Sequence, residues 1–197
     1  MNLPNKLTVL RIILSPVFML FFLFDNVYSR YVAFFVFVIA SLTDAYDGYL
    51  ARKTGIVTSF GKFMDPLADK FSISMALISL VVLQLPFVIG WMVTLIVTRE
   101  ILITGLRMVA AYRGMLIPPS MAAKWKTLTQ MVFVNCALIH ILARMTHERF
   151  GTSLYLVGEK NFEVFLLFLL SLATLLTLLT GMHYLLANRE FIRRILR

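Results

Sequence analysis

Apolar residues dominate six stretches of the chain, at roughly residues 9–25, 31–50, 64–85, 87–112, 127–146 and 162–187. Short polar or charged segments separate them. Each stretch is close to the roughly 20 residues that an α-helix needs to cross the hydrocarbon core of a bilayer. The pattern predicts an all-α, polytopic membrane protein with six transmembrane helices. Ahead of the first stretch, Asn5, Thr8 and Arg11 share one broad helical face and Leu3, Leu7 and Leu10 another. That suits a short interfacial helix at the membrane surface, although an ordinary polar lead-in to a span fits the same pattern. Pro16 lies inside the first span, where a kink is expected.

Composition strengthens this picture. Of 197 residues, 60% are hydrophobic and only 15% charged, whereas soluble domains average about half apolar and about a quarter charged. The formal net charge of +9 would favour a nucleic-acid ligand in a soluble chain. Here the cations flank apolar segments, so anionic headgroups and phosphate-bearing substrates are the expected partners, with no nucleic acid. Lys6, Arg52, Lys53, Lys62, Arg113, Lys124, Lys126, Arg189, Arg193, Arg194 and Arg197 all fall on one side of a six-span layout. Arg30, Arg149 and Lys160, diluted by Asp25, Glu148 and Glu159, fall on the other. The positive-inside rule then puts both termini in the cytoplasm. The single cysteine, Cys136, cannot form an intrachain disulfide. No cleavable leader, repeat or low-complexity segment is evident. Residues 1–197 read as a single membrane domain.

Four of the five aspartates lie between Asp44 and Asp69, spaced Asp44-x2-Asp47-Gly48-x2-Ala51-Arg52-x8-Gly61-x3-Asp65-x3-Asp69. An aspartate at the middle of a membrane helix costs about 2.5–3.5 kcal/mol on insertion scales, so four together need partners. Asp44, Asp47, Gly48 and Ala51 recur on one helical face, and Gly61, Asp65 and Asp69 on one face of the next helix. Small residues let a ligand approach between the carboxylates. Hard oxygen donors favour magnesium, manganese or calcium over zinc. Four carboxylates can hold two ions about 3.5–4 Å apart, as in displacements at phosphorus. The competing explanations are helix caps, pairing with Arg52, Lys53, Lys62 or Lys70, and a proton or cation pathway. A pathway needs neither the small residues nor Arg52 at its mouth.

This spacing resembles the signature of the CDP-alcohol phosphatidyltransferase family, D-x2-D-G-x2-A-R-x8-G-x3-D-x3-D, at all eight fixed positions. The resemblance implies transfer of a phosphatidyl or phosphoalcohol group from a CDP-linked donor to a hydroxyl, with release of CMP. It implies two divalent cations, Mg2+ or Mn2+, held by Asp44, Asp47, Asp65 and Asp69, with Asp69 as general base. It places Gly48, Ala51, Arg52 and Gly61 on the donor nucleotide, and Asn5, Thr8 and Thr58 with them. It also implies a homodimer.

The fourth span carries Arg99, Glu100 and Arg107, followed by Arg113 and the run Ala123-Lys124-Trp125-Lys126-Thr127. Arg99 and Glu100 can pair with each other. Arg107, Arg113, Lys124 and Lys126 lack enough acidic partners, and a cation surplus near a membrane cavity points to a second phosphate, on the acceptor. The segments T-R-E-I-L-I-T-G-L-R and K-W-K-T, and the opening P-N-K-L-T-x-x-R, resemble the bacterial phosphatidylglycerophosphate synthase branch of the family. Ala123 stands where a glycine is common there. That likeness implies CDP-diacylglycerol and glycerol 3-phosphate as substrates, in a bacterial cell membrane. Within the family the alternatives are phosphatidylinositol phosphate synthase and cardiolipin synthase. Outside it they are an intramembrane prenyltransferase and a cation transporter. His140, His147 and His183 show no ligand spacing and read as structural. The polar residues from Ser171 to Thr180 read as aids to helix contacts, with no chemical role.

Overall fold

The computed structural model describes residues 3–54, 59–114, 121–151 and 158–189, with side chains except those of residues 3–4, 44–54 and 59–63. Among these residues the chain forms six helices and no strand: α1 (Leu3–Leu23), α2 (Val27–Thr54), α3 (Ser59–Val82), α4 (Gly90–Tyr112), α5 (Met121–Phe150) and α6 (Glu159–Ala187). Each predicted stretch lies within or largely within one helix. Three helices, in α1, α5 and α6, are long and apolar enough to cross a membrane, and Val27–Thr43 of α2 is a shorter apolar helix. Charged residues interrupt the other two, namely Asp65, Asp69 and Lys70 in α3 and Arg99, Glu100 and Arg107 in α4.

The packing closes a ring. α1 lies against α2 and α3, α3 against α4, α4 against α6, α6 against α5, and α5 back against α2 and α3. Its interior holds Phe18, Phe22, Leu77, Leu80, Ile96, Phe133, Leu138, Leu166 and Leu170, all fully buried. Large apolar side chains also face outward, among them Leu20, Phe35, Ile101, Ile139, Phe168 and Leu186. An aqueous protein rarely exposes such a continuous apolar surface, and the arrangement fits a helical membrane protein.

The N-terminal segment departs from the sequence expectation. α1 runs unbroken from Leu3 to Leu23 through Pro16, so no separate interfacial helix precedes it. Asn5, Thr8, Arg11 and Ser15 are all buried, while Leu10 and Ile13 are exposed. The polar face turns inward because α3 offers it partners. The Thr8 hydroxyl donates to Asp65 Oδ1 at 2.5 Å, and the Ser15 and Ser72 hydroxyls bond at 2.6 Å. Both pairs are 57 residues apart, so α1 and α3 run parallel in fixed register, with α2 packed on the other side of α1.

Polar groups at the other end of α2 are satisfied locally. The buried Arg30 donates to the Phe22 carbonyl, to Asp25 and to Met145 Sδ. His140 is buried between Phe87 and Phe162, with Glu163 3.8 Å away.

Candidate active site

The aspartate stretch spans the end of α2 and the start of α3. Asp44, Asp47, Gly48, Ala51 and Arg52 lie on α2 and Gly61 on α3, but their side chains are outside the described residues. Thr58 lies outside them altogether. Asp65 and Asp69 are described, one turn apart on α3 and partly buried. One oxygen of each is engaged by the protein: Asp65 Oδ1 by Thr8, and Asp69 Oδ2 by Lys70 Nζ at 3.0 Å. The second oxygen of each carboxylate has no such bond among the described residues.

From Asp69 a polar seam runs through the bundle. Lys70 Nζ also lies 3.8 Å from Glu100 Oε2 on α4. Glu100 is 4% exposed and Lys126, on α5, is 2% exposed, and the two form an ion pair. Arg99 Nη1 approaches the same carboxylate at 3.6 Å. Three cations therefore surround one buried carboxylate. A buried charge left without a partner is costly, so Glu100 is what allows these cations to sit inside an apolar bundle.

The remaining valences reach α6. Gln130, one turn beyond Lys126, donates to Glu100 Oε1 at 3.4 Å and to Thr177 Oγ1 at 3.3 Å. Arg99 Nη2 donates to Thr180 Oγ1 at 3.0 Å. The Arg99 side chain crosses Gly181, where an added Cβ would stand 3.2 Å from Nε. Glycine gives Arg99 its path across α6. Two turns further along α4, the Arg107 guanidinium lies over the Tyr184 ring, 5.4 Å from its centroid. Among the described residues, several buried atoms here have no hydrogen-bond partner: Arg99 Nε, Arg107 Nε and Gln130 Oε1. Buried polar atoms are normally paired, so the seam holds unused hydrogen-bonding capacity between α4, α5 and α6.

Of the four cations expected to hold an acceptor phosphate, the structure brings Lys126 into the seam and sets Arg107 beside α6. Arg113 caps the end of α4, and it and Lys124 are exposed. Neither takes part in an ion pair among the described residues. Lys126 has an acidic partner, which the count of charges along the chain did not assign to it. The seam also includes Lys70, Arg99, Glu100, Gln130, Thr177 and Thr180. Thr177 and Thr180, read from the sequence as contact residues, hydrogen-bond to its members. Their signal was a stripe at Thr177, Thr180, Gly181 and Tyr184, polar or small positions on one face of an otherwise apolar helix.

The family model described as CDP-alcohol phosphatidyltransferase matches residues 1–183. A CDP-diacylglycerol–glycerol-3-phosphate 3-phosphatidyltransferase of Bacillus subtilis (strain 168) is 44% identical over 153 residues, covering 72% of this chain and 78% of that protein. One of the same name from Rickettsia felis is 42% identical over 142 residues, covering 70% and 75%. A probable phosphatidylglycerophosphate synthase of Mycobacterium tuberculosis (strain H37Rv) is 44% identical over 138 residues, covering 68% and 64%. With its complete aspartate signature and a family match over most of its length, the chain belongs to the CDP-alcohol phosphatidyltransferase family of enzymes.

Proposed function

We propose that this protein transfers the phosphatidyl group of CDP-diacylglycerol to glycerol 3-phosphate, giving phosphatidylglycerol phosphate and CMP. The relatives named for that reaction support the choice of substrates. The observation that carries it within the structure is the cation seam of Lys70, Arg99 and Lys126 around Glu100, beside Asp69. A neutral acceptor would not need this charge. A phosphate would.

The donor set fits divalent cations, because Asp65 and Asp69 contribute hard ligands and among the described residues each has one oxygen without a bond. Asp44, Asp47, Asp65 and Asp69 would hold two of them, Mg2+ or Mn2+, which would supply charge neutralisation for the donor pyrophosphate. The chain's own groups do the rest. Gly48, Ala51 and Gly61 leave room for the nucleotide and Arg52 neutralises its phosphate, and Asn5 and Thr58 are assigned to the donor as well. Lys126 and Arg107 hold the acceptor phosphate, with Arg113 and Lys124 at the entrance. Asp69 accepts the proton of the acceptor hydroxyl as its oxygen bonds to the phosphatidyl phosphorus. The bond from that phosphorus to the CMP oxygen breaks, and CMP leaves with both electrons.

The same reading has all six helices crossing a bacterial cell membrane as one domain, with both termini and the aspartates on the cytoplasmic side, where glycerol 3-phosphate and CDP are accessible. The resemblance adds a homodimer. CMP release by purified protein, measured against glycerol 3-phosphate, glycerol, inositol phosphate and phosphatidylglycerol, tests the proposal. Activity confined to glycerol 3-phosphate is expected. Equal activity with glycerol refutes a phosphorylated acceptor.

A further inference from the structure

The Thr8 hydroxyl is committed to a carboxylate of the aspartate signature. It donates to Asp65 Oδ1 at 2.5 Å across the α1–α3 contact, and Thr8 is fully buried. That distance belongs to a charge-assisted O–H···O− bond, about twice as strong as a neutral one. The register that creates it is held independently by the Ser15–Ser72 bond one heptad further along both helices. In a helix threonine divides between two χ1 rotamers, and the one adopted here aims the hydroxyl at Asp65. The hydroxyl is the donor in this pair and the carboxylate the acceptor.

We infer that Thr8 is a positioning residue for the metal ligand Asp65, and not a contact of the donor nucleotide. It fixes the carboxylate by Oδ1 and leaves Oδ2 for a divalent cation. Helix α1 thereby becomes part of the metal site, although it carries no acidic residue. Outer hydrogen bonds of this kind orient the ligand, and their loss typically weakens metal binding by 10–100-fold. The inference rests on the assignment of Asp65 as a ligand.

The test is a Mn2+ titration of the purified full-length protein, with free Mn2+ read by electron paramagnetic resonance. Thr8→Val keeps the shape and removes the proton. Its Kd for Mn2+ is expected to rise about 10–100-fold, whereas Thr8→Ser, which restores a hydroxyl, should stay within about threefold of wild type. A purely structural loss would not be repaired selectively by a hydroxyl. If Thr8→Val does not accumulate, Thr8→Ala is titrated in its place with the same expectation. Wild-type Mn2+ affinity in these variants, with a raised KM for CDP-diacylglycerol alone, overturns the inference and restores a donor-contact role. Asp65→Asn is run alongside. Weakened binding there with wild-type binding in Thr8→Val overturns the Thr8 role alone. Wild-type binding in Asp65→Asn overturns both it and the ligand assignment.

Discussion

Replacing Glu100 by Gln removes one negative charge from among three positive charges, of which, among the described residues, only Lys70 has a second carboxylate, Asp69, beside it. Arg99 and Lys70 stand 3.6 and 3.8 Å from its oxygens, and Lys126 is paired with it directly. At an effective dielectric of about 20, each of the two longer contacts amounts to about 4–5 kcal/mol of attraction. Desolvation offsets much of that. The net cost of taking one partner from a buried pair is about 3–5 kcal/mol. Glutamine still accepts hydrogen bonds, so about 3 kcal/mol is the appropriate figure. For a chain of this length that corresponds to a loss of about 6–12 °C in Tm. The direction of the rescue is diagnostic. A phosphate dianion in the seam would supply the missing counter-charge, so glycerol 3-phosphate should raise the Tm of Glu100→Gln more than that of wild type. At one hundred times its Kd a ligand contributes about 2.7 kcal/mol, enough to recover most of the loss. Glycerol should recover none. The assay is thermal unfolding in detergent, with and without each compound. A variant that melts within about 2 °C of wild type, or gains no more from glycerol 3-phosphate than wild type does, refutes Glu100 as the counter-charge of an acceptor-phosphate site.

Lys126→Ala and Arg107→Ala should raise the KM for glycerol 3-phosphate at least about 30-fold, equivalent to about 2 kcal/mol, with little change for CDP-diacylglycerol. Arg52→Ala should raise the CDP-diacylglycerol KM instead, and steady-state kinetics with each substrate varied in turn separate the two. Asp69→Asn should lower kcat by about 10²-fold or more while donor binding survives; undiminished turnover would remove Asp69 from the role of base. A cysteine at Lys53 should be shielded from an impermeant thiol reagent outside intact cells and one at Glu148 should react; the reverse pattern refutes the proposed orientation.

The helices and the family were legible in the sequence because their signals are local. Apolar length makes a helix that can cross a bilayer, and i, i+3, i+4 spacing groups carboxylates on one face before any packing is known. The family signature lies within one stretch of chain for the same reason. Partnership between distant residues has no such local signal. Lys126 looked like a surplus cation until the α4–α5 arrangement set it against Glu100, 26 residues away. The polar face of α1 suited headgroups equally well until α3 presented Asp65 and Ser72 to it, 57 residues on in each case. Thr177 and Thr180 looked like packing residues until Gln130 and Arg99 reached them. In an apolar bundle a polar side chain must find another polar group. The sequence shows that the need exists, while the packing of the helices decides which residue meets it.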